Sequence, residues 1–332
     1  MNISLVLTID TEPDNQWSRG ARDLTFANTR GLRRFIDFLR RLGAPATYLT
    51  SYTVARDPES VRVLREAAAG GDEIGGHLHA WETPPLTPAD DGAHPYIYEY
   101  DADVRLAKLR AMTAAVEDAF GVHPVSYRAG RWGLDEIEVR NLAELGYRFD
   151  TSVVPGHDFG PSRGFSRPGP DFRRRLDGTP TRPYRLGELW EVPVSVTTLG
   201  GLGSGRLGAA LARTVFSRRD TAARAVTKMM RTSGLCRMIW VRPLRHSRRD
   251  LVRAALSLVR QGASVINIMT HSSECYPGTG PATRSEDDVG RLYGDFEAII
   301  TALRATGQVT PRTLSEAMSV ALLAPSEHGL AR

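Results

Sequence analysis

The chain has 332 residues, 41% of them hydrophobic and 24% charged, with a formal net charge of +5. That length suffices for one large barrel or two ordinary domains with a substantial core, and a charge so modest gives no argument for nucleic acid as a partner. Two cysteines, Cys236 and Cys275, exclude a disulfide framework and a cysteine-rich metal site.

Residues 3–9 are an apolar, β-branched run that predicts a buried parallel strand, and Asp10, Glu12 and Asp14 crowd its end. The run lacks the basic start of a signal peptide, and nowhere do about 20 apolar residues follow one another, so a soluble, cytoplasmic protein is expected. Residues 28–42 set Leu32, Phe35, Ile36, Phe38 and Leu39 at helical spacing before Gly43. A strand at 46–50 and a helix at 58–69 lead to a short strand at 73–77. Its alternation ends at Gly75 and Gly76, and it delivers His77 and His79 to the edge where α/β proteins keep their chemistry. A polar loop follows, through Pro84-Pro85, Asp90-Asp91-Gly92 and Tyr96, long enough to read as a binding loop.

Residues 101–120 predict a helix and 122–127 a strand ending at Arg128 and Arg131. Residues 135–145 read as helix, 147–153 as strand and 155–185 as irregular. Further strands are expected at 189–196, 238–241 and 263–269, further helices at 207–230, 248–260 and 286–306, and residues 309 and 314–323 close the chain. Strands alternating with helices imply parallel strands joined by right-handed crossovers. About seven or eight strands with chemically capable ends fit an α/β fold of the (β/α) barrel kind, its site at the C-terminal strand ends. With no clear linker, residues 1–332 are expected to be one domain, with a basic helical insertion around 203–235.

The strand ends collect Asp10, Glu12, His77, His79, Arg128, Arg131, Trp190 and His271. Acids, imidazoles and a guanidinium at one edge suffice for metal-assisted hydrolysis. An open catalytic zinc site takes three protein ligands and a water, so two histidines require a carboxylate from elsewhere. Each feature also has a plain structural explanation. The histidines could be solvated, the acids a polar strand end, the arginines surface charges and Trp190 a core residue. His123, His157 and His246 lack any partner pattern. Arg213, Arg218, Arg219, Arg224, Lys228, Arg231, Arg237, Arg242, Arg245, Arg248 and Arg249 form a basic belt, read either as a solvated face or as attraction for an anionic substrate or membrane surface.

On these residues the sequence resembles the polysaccharide deacetylases with the NodB homology domain, carbohydrate esterase family 4, and within them the WalW-like branch, over nearly the whole chain. The family's first motif, Thr-Phe-Asp-Asp-Gly-Pro, matches Thr8-Ile9-Asp10-Thr11-Glu12-Pro13. The resemblance implies Asp10 as general base. Thr11 stands where the metal-binding Asp falls, and Glu12, one step on, is the implied ligand. The second motif, His-Ser/Thr-x-x-His, has His77 in its first place and Trp81 in its last, so either His79 substitutes or His77 binds alone. In the third, Arg128-Ala129-Gly130-Arg131 implies Arg128 as partner of Asp10 and a backbone N–H near Arg131 as oxyanion donor. Trp190 resembles the apolar wall of the fourth, and Met269-Thr270-His271 the fifth, which implies His271 as general acid. Tyr127 and Trp132 flank the third motif and are further candidate substrate contacts. His271-Ser272-Ser273-Glu274 followed by Tyr276-Pro277-Gly278 is similar to the WalW-like branch.

The resemblance implies a distorted seven-stranded NodB-type barrel with a divalent metal, Zn above others. The reaction implied is hydrolysis of the acetamido group of an N-acetylated sugar or glycoside, small or oligosaccharide, to acetate and a free amine. Other readings are a hydrolase of a non-sugar amide or cyclic ureide, or a metal-free carbohydrate-binding pseudoenzyme, since Thr11 and Trp81 stand where ligands are expected.

Overall fold

Every residue of β1 (Ile3–Thr11) is buried, as a strand covered on both faces requires. The computed structural model describes residues 3–16, 23–90, 92–172, 182–200 and 236–323. After β1 come α1 (Ala27–Gly31), α2 (Arg33–Arg41) and β2 (Thr47–Ser51). Helix α3 (Pro58–Ala69) begins where the Asp57 side chain accepts the Ser60 N–H and Pro58 opens the first turn. It leads to β3 (Glu73–Leu78). Helix α4 (Ala102–Phe120) stops at Gly121, whose φ of 70° is the left-handed cap geometry. There follow β4 (Ser126–Ala129), α5 (Glu136–Glu144), β5 (Phe149–Asp150), β6 (Tyr184–Leu186), β7 (Leu189–Glu191), β8 (Val196–Leu199) and β9 (Arg237–Trp240). Helix α6 (Arg248–Arg260), capped by Ser247, precedes β10 (Val265–His271), and α7 (Glu286–Arg304), β11 (Val309–Arg312) and α8 (Leu314–Leu323) complete the chain.

The main sheet runs β10-β1-β2-β3-β4-β5-β7-β6, with β11 against the first half of β1. It curls into a barrel. The stretch after β7 returns to β10, where Ser195 N–H donates to the Asn267 carbonyl and Asn267 N–H donates to Ser195 Oγ, both at 2.9 Å. Two elements depart from uniform parallel pairing. β6 runs antiparallel to β7 because only Gly187 and Glu188 connect them, Gly187 at φ 60°, and so short a loop makes a hairpin. The strand read at 238–241 is β9, which pairs antiparallel with β8 in a separate sheet. The strand expected at 147–153 shortens to β5.

Alternation along β1 sorts the barrel. Leu5, Leu7 and Ile9 join the large core shared with the helices, while Val6 belongs to a second cluster with Phe149, Val192, Val265 and Leu314, Ala317 and Met318 of α8. Leu314 N–H reaches Thr47 Oγ1 and Ser315 N–H reaches Glu73 Oε2, so α8 closes the end where β2 and β3 begin. Chemistry is therefore left to the opposite end. Among the described residues, no helix is long and apolar enough to cross a membrane. The predicted helix at 207–230, the insertion around 203–235 and the belt residues Arg213, Arg218, Arg219, Arg224, Lys228 and Arg231 lie outside the described residues.

Candidate metal centre and active-site cleft

Strand register gathers the polar ends. Asp10 stands beside His271 in the β1–β10 pair, and His77 beside Arg128 in the β3–β4 pair. All four side chains are buried. Residues two apart on an extended chain face the same side, so His77 and His79 turn together toward Glu12. His79 Nε2 lies 2.8 Å and His77 Nε2 3.4 Å from Glu12 Oε2, and the two Nε2 atoms are 3.1 Å apart.

The tautomer of His77 follows from its neighbour. Its Nδ1–H donates to the Arg128 carbonyl at 2.9 Å, which leaves the Nε2 lone pair aimed at the cluster. His79 Nδ1 is buried beside Gly130 and has no partner among the described residues. Burial pushes His79 down to about 4. Burial also opposes charge on His77, but Asp10 and Glu12 outweigh it and raise the ring. Glu12 is held well below the ordinary carboxylate range, because hydrogen bonds with His77 and His79 overcome its burial.

The cluster fits a metal ion. Zinc bonds of about 2.0–2.1 Å in a tetrahedron put neighbouring donors about 3.3 Å apart, and the donor separations here are 2.8, 3.1 and 3.4 Å. Two imidazoles and one carboxylate are a donor set that suits a catalytic zinc, with a position left for water.

Asp10 and His271 face the same space. Arg128 Nη1 donates to Asp10 Oδ1 at 2.5 Å, while Nε and Nη2 are taken by Thr151 and Thr8. Asp10 Oδ2 lies 3.8 Å from His271 Nε2. Arg242 Nη2 donates to His271 Nδ1 at 2.9 Å and to Glu274 Oε1 at 2.7 Å, so a neutral His271 carries its proton on Nε2, toward Asp10. Burial opposes charge on Glu274, but Arg242, His271 and Thr270 hold its carboxyl well below the ordinary value.

These groups open into a cleft of about 290 Å³, walled by Trp81, Tyr96, Trp132 and Phe159 and bearing Arg131, Arg242 and Arg245. Arg131 and Trp132 have φ of 54° and 64°, left-handed values that non-glycine residues keep only when their surroundings impose them.

Of the sequence candidates, Asp10, Glu12, His77, His79, Arg131, Trp132 and His271 line this cleft, and Arg128 lies directly behind Asp10. Trp190 and Tyr127 do not reach it. Trp190 pairs with Phe149 and packs against the cluster that contains Val6 and Met318 near the α8 end, and Arg185 covers its ring at 5.1 Å. Tyr127 points to the outer face of β4, as alternation with Arg128 demands, and bonds Glu138 Oε1 at 3.1 Å. Sequence reasoning did not propose Trp81, Phe159, Arg242 or Arg245 as cleft residues. Trp81 had a signal in occupying a motif position, and its ring sits 4.3 Å from that of His79. Phe159 had none, since it comes from an irregular segment.

No family model and no curated protein matches the chain. A protein from Mycobacterium smegmatis, provisionally named a polysaccharide deacetylase, has a similar solved structure: TM-score 0.57 at 20% identity, covering 100% of this chain and 94% of that one. The fold is that of the NodB-type barrel. A 4-alpha-glucanotransferase from Thermococcus litoralis is also similar, with TM-score 0.52 at 12% identity, covering 96% of this chain and 40% of the enzyme. Its different name shows why the side chains, rather than the barrel, must carry the functional argument.

Proposed function

We propose that the chain is a metal-dependent N-deacetylase of the polysaccharide deacetylase family, and within it of the WalW-like branch, that hydrolyses an N-acetylated sugar to acetate and free amine. The observation that carries this reading is the convergence of Glu12, His77 and His79 within 4.8 Å of one another, beside Asp10 and His271 in one cleft. A divalent cation, zinc by donor type, supplies Lewis acidity there and lowers the pKa of a water to roughly 7.

The protein's own groups do the rest. Arg128 occupies one oxygen of Asp10 and leaves Oδ2 to take the proton of the attacking water. The new bond joins water oxygen to the acetyl carbon, and the backbone N–H near Arg131 receives the oxygen that becomes negative. When the carbon–nitrogen bond breaks, His271 Nε2 gives the nitrogen its proton, work worth ~10²–10⁴-fold for a well-placed acid. Trp132 and Phe159, stacked at 6.2 Å, offer a platform for a sugar ring.

The test combines metal analysis with acetate release from N-acetylglucosamine and its oligomers. Zinc at about one per chain and acetate release, both lost in His77→Ala, are expected. Sugar binding without metal or acetate would make the chain a pseudoenzyme and overturn the proposal. So would turnover of a cyclic ureide with no acetate released from any sugar.

A further inference from the structure

The cleft holds more positive charge than the chemistry uses. Arg128 is taken by Asp10, and Arg242 by Glu274 and His271. Arg131 and Arg245 also line the cleft, and neither pairs with a carboxylate among the described residues. Each lies over an aromatic ring. The Arg131 guanidinium carbon lies 5.4 Å from the Tyr96 ring centre and that of Arg245 5.3 Å from Trp240.

Both rings are anchored by further contacts. Tyr96 donates its hydroxyl to the Ser162 carbonyl, and Trp240 is buried against the Trp132 ring at 5.6 Å. A guanidinium held by its face keeps its edge donors free, and that edge matches two oxygens of one anion. The left-handed backbone at Arg131 and Trp132 keeps this wall turned into the cleft.

We propose that Arg131 and Arg245 form an oxyanion subsite, so that the ligand of this cleft is an N-acylated sugar bearing a phosphate or a carboxylate. For the fate of that ligand the proposal rests on the deacetylase reading; for its binding it does not. It also places anion selection inside the cleft.

Calorimetry decides the matter without turnover, using N-acetylglucosamine, N-acetylglucosamine 6-phosphate and N-acetylmuramic acid with the full chain. At low salt at least one anionic sugar should bind about 10-fold to 100-fold tighter than the neutral one, the range for a charged hydrogen-bonded pair. The tighter of the two identifies phosphate or carboxylate. Molar salt should shrink the advantage. Arg245→Gln and Arg131→Gln should each remove most of it, while Arg245→Lys restores only part, because an ammonium makes no fork. Equal affinity for all three sugars, or a preference that survives both glutamine variants, overturns the subsite. Acetate release from the neutral sugar with no anionic preference would sink the subsite and leave the deacetylase. A tightly held anionic sugar that is never deacetylated would do the reverse.

Discussion

Arg128 is fully buried and makes four hydrogen bonds, to Asp10 Oδ1, Thr8 Oγ1 and the carbonyl and hydroxyl of Thr151. Thr8 and Thr151 are in turn bonded to Asn267, so a satisfied polar layer lies between the apolar end of the barrel and the cleft. A planar fork that is held at each nitrogen has one position, and Asp10 inherits it. Replacing Arg128 by Met leaves a buried carboxylate without its partner, a loss of about 3–5 kcal/mol in systems of this kind. Urea denaturation should show a destabilisation of that order, and Arg128→Met with Asp10→Ala should lose less than the sum of the two single changes. Additive losses would mean that the pair is not coupled.

At the scale of elements, the long loop after β3 is tied down from below. Lys108 of α4 donates to the carbonyls of Ala80, Thr83 and Pro85 at 2.8–2.9 Å and pairs with Asp90 at 3.0 Å. An ammonium that spends its donors on backbone gives the loop one shape, and so Trp81 is held against His79. Helix α5 offers a pH test. Burial, before all else, pushes Glu138 up to about 8, although the Tyr127 hydroxyl donates to it. Its ordinary value is 4.5, so the folded chain retains a proton that the unfolded chain releases between about pH 4.5 and 8. Stability should therefore fall as pH rises through that window. Glu138→Gln, which is neutral throughout, should flatten the decline in melting temperature between pH 5 and 8.5. An unchanged slope would remove Glu138 as its cause.

For the whole molecule, the buried seam between the stretch after β7 and β10 is where the barrel closes. Asn267 donates its Nδ2 to Thr151 Oγ1 and the Val192 carbonyl, accepts from Thr8 at Oδ1, donates its backbone N–H to Ser195 Oγ and accepts the Ser195 N–H at its carbonyl. Asn267→Leu leaves the Thr8 hydroxyl without its acceptor in a dry interior, at about 1–3 kcal/mol, while Thr151 Oγ1 and the Val192 carbonyl keep their bond to each other. A lower urea midpoint is expected, together with faster amide exchange at Ser195 and Val241, whose N–H groups form the seam and its continuation. Protection equal to that of the parent chain would show that the barrel closes by packing alone.

The sequence by itself determined the barrel class, the helices at 58–69 and 248–260, and the strand ends that carry Asp10, Glu12, His77, Arg128 and His271. Periodicity and capping are local, and a strand's C-terminal residues must project where the strand stops. Only the tertiary structure decided which of those ends meet and which aromatic rings surround them. Trp190 lies on a strand of the barrel, yet its pairing with Phe149 assigns it to the layer near α8. Phe159, Arg242 and Arg245 come from segments without a motif and reach the cleft through loop paths. The layer that a residue occupies is set by register against a neighbouring strand, and register is a property of two chain segments together.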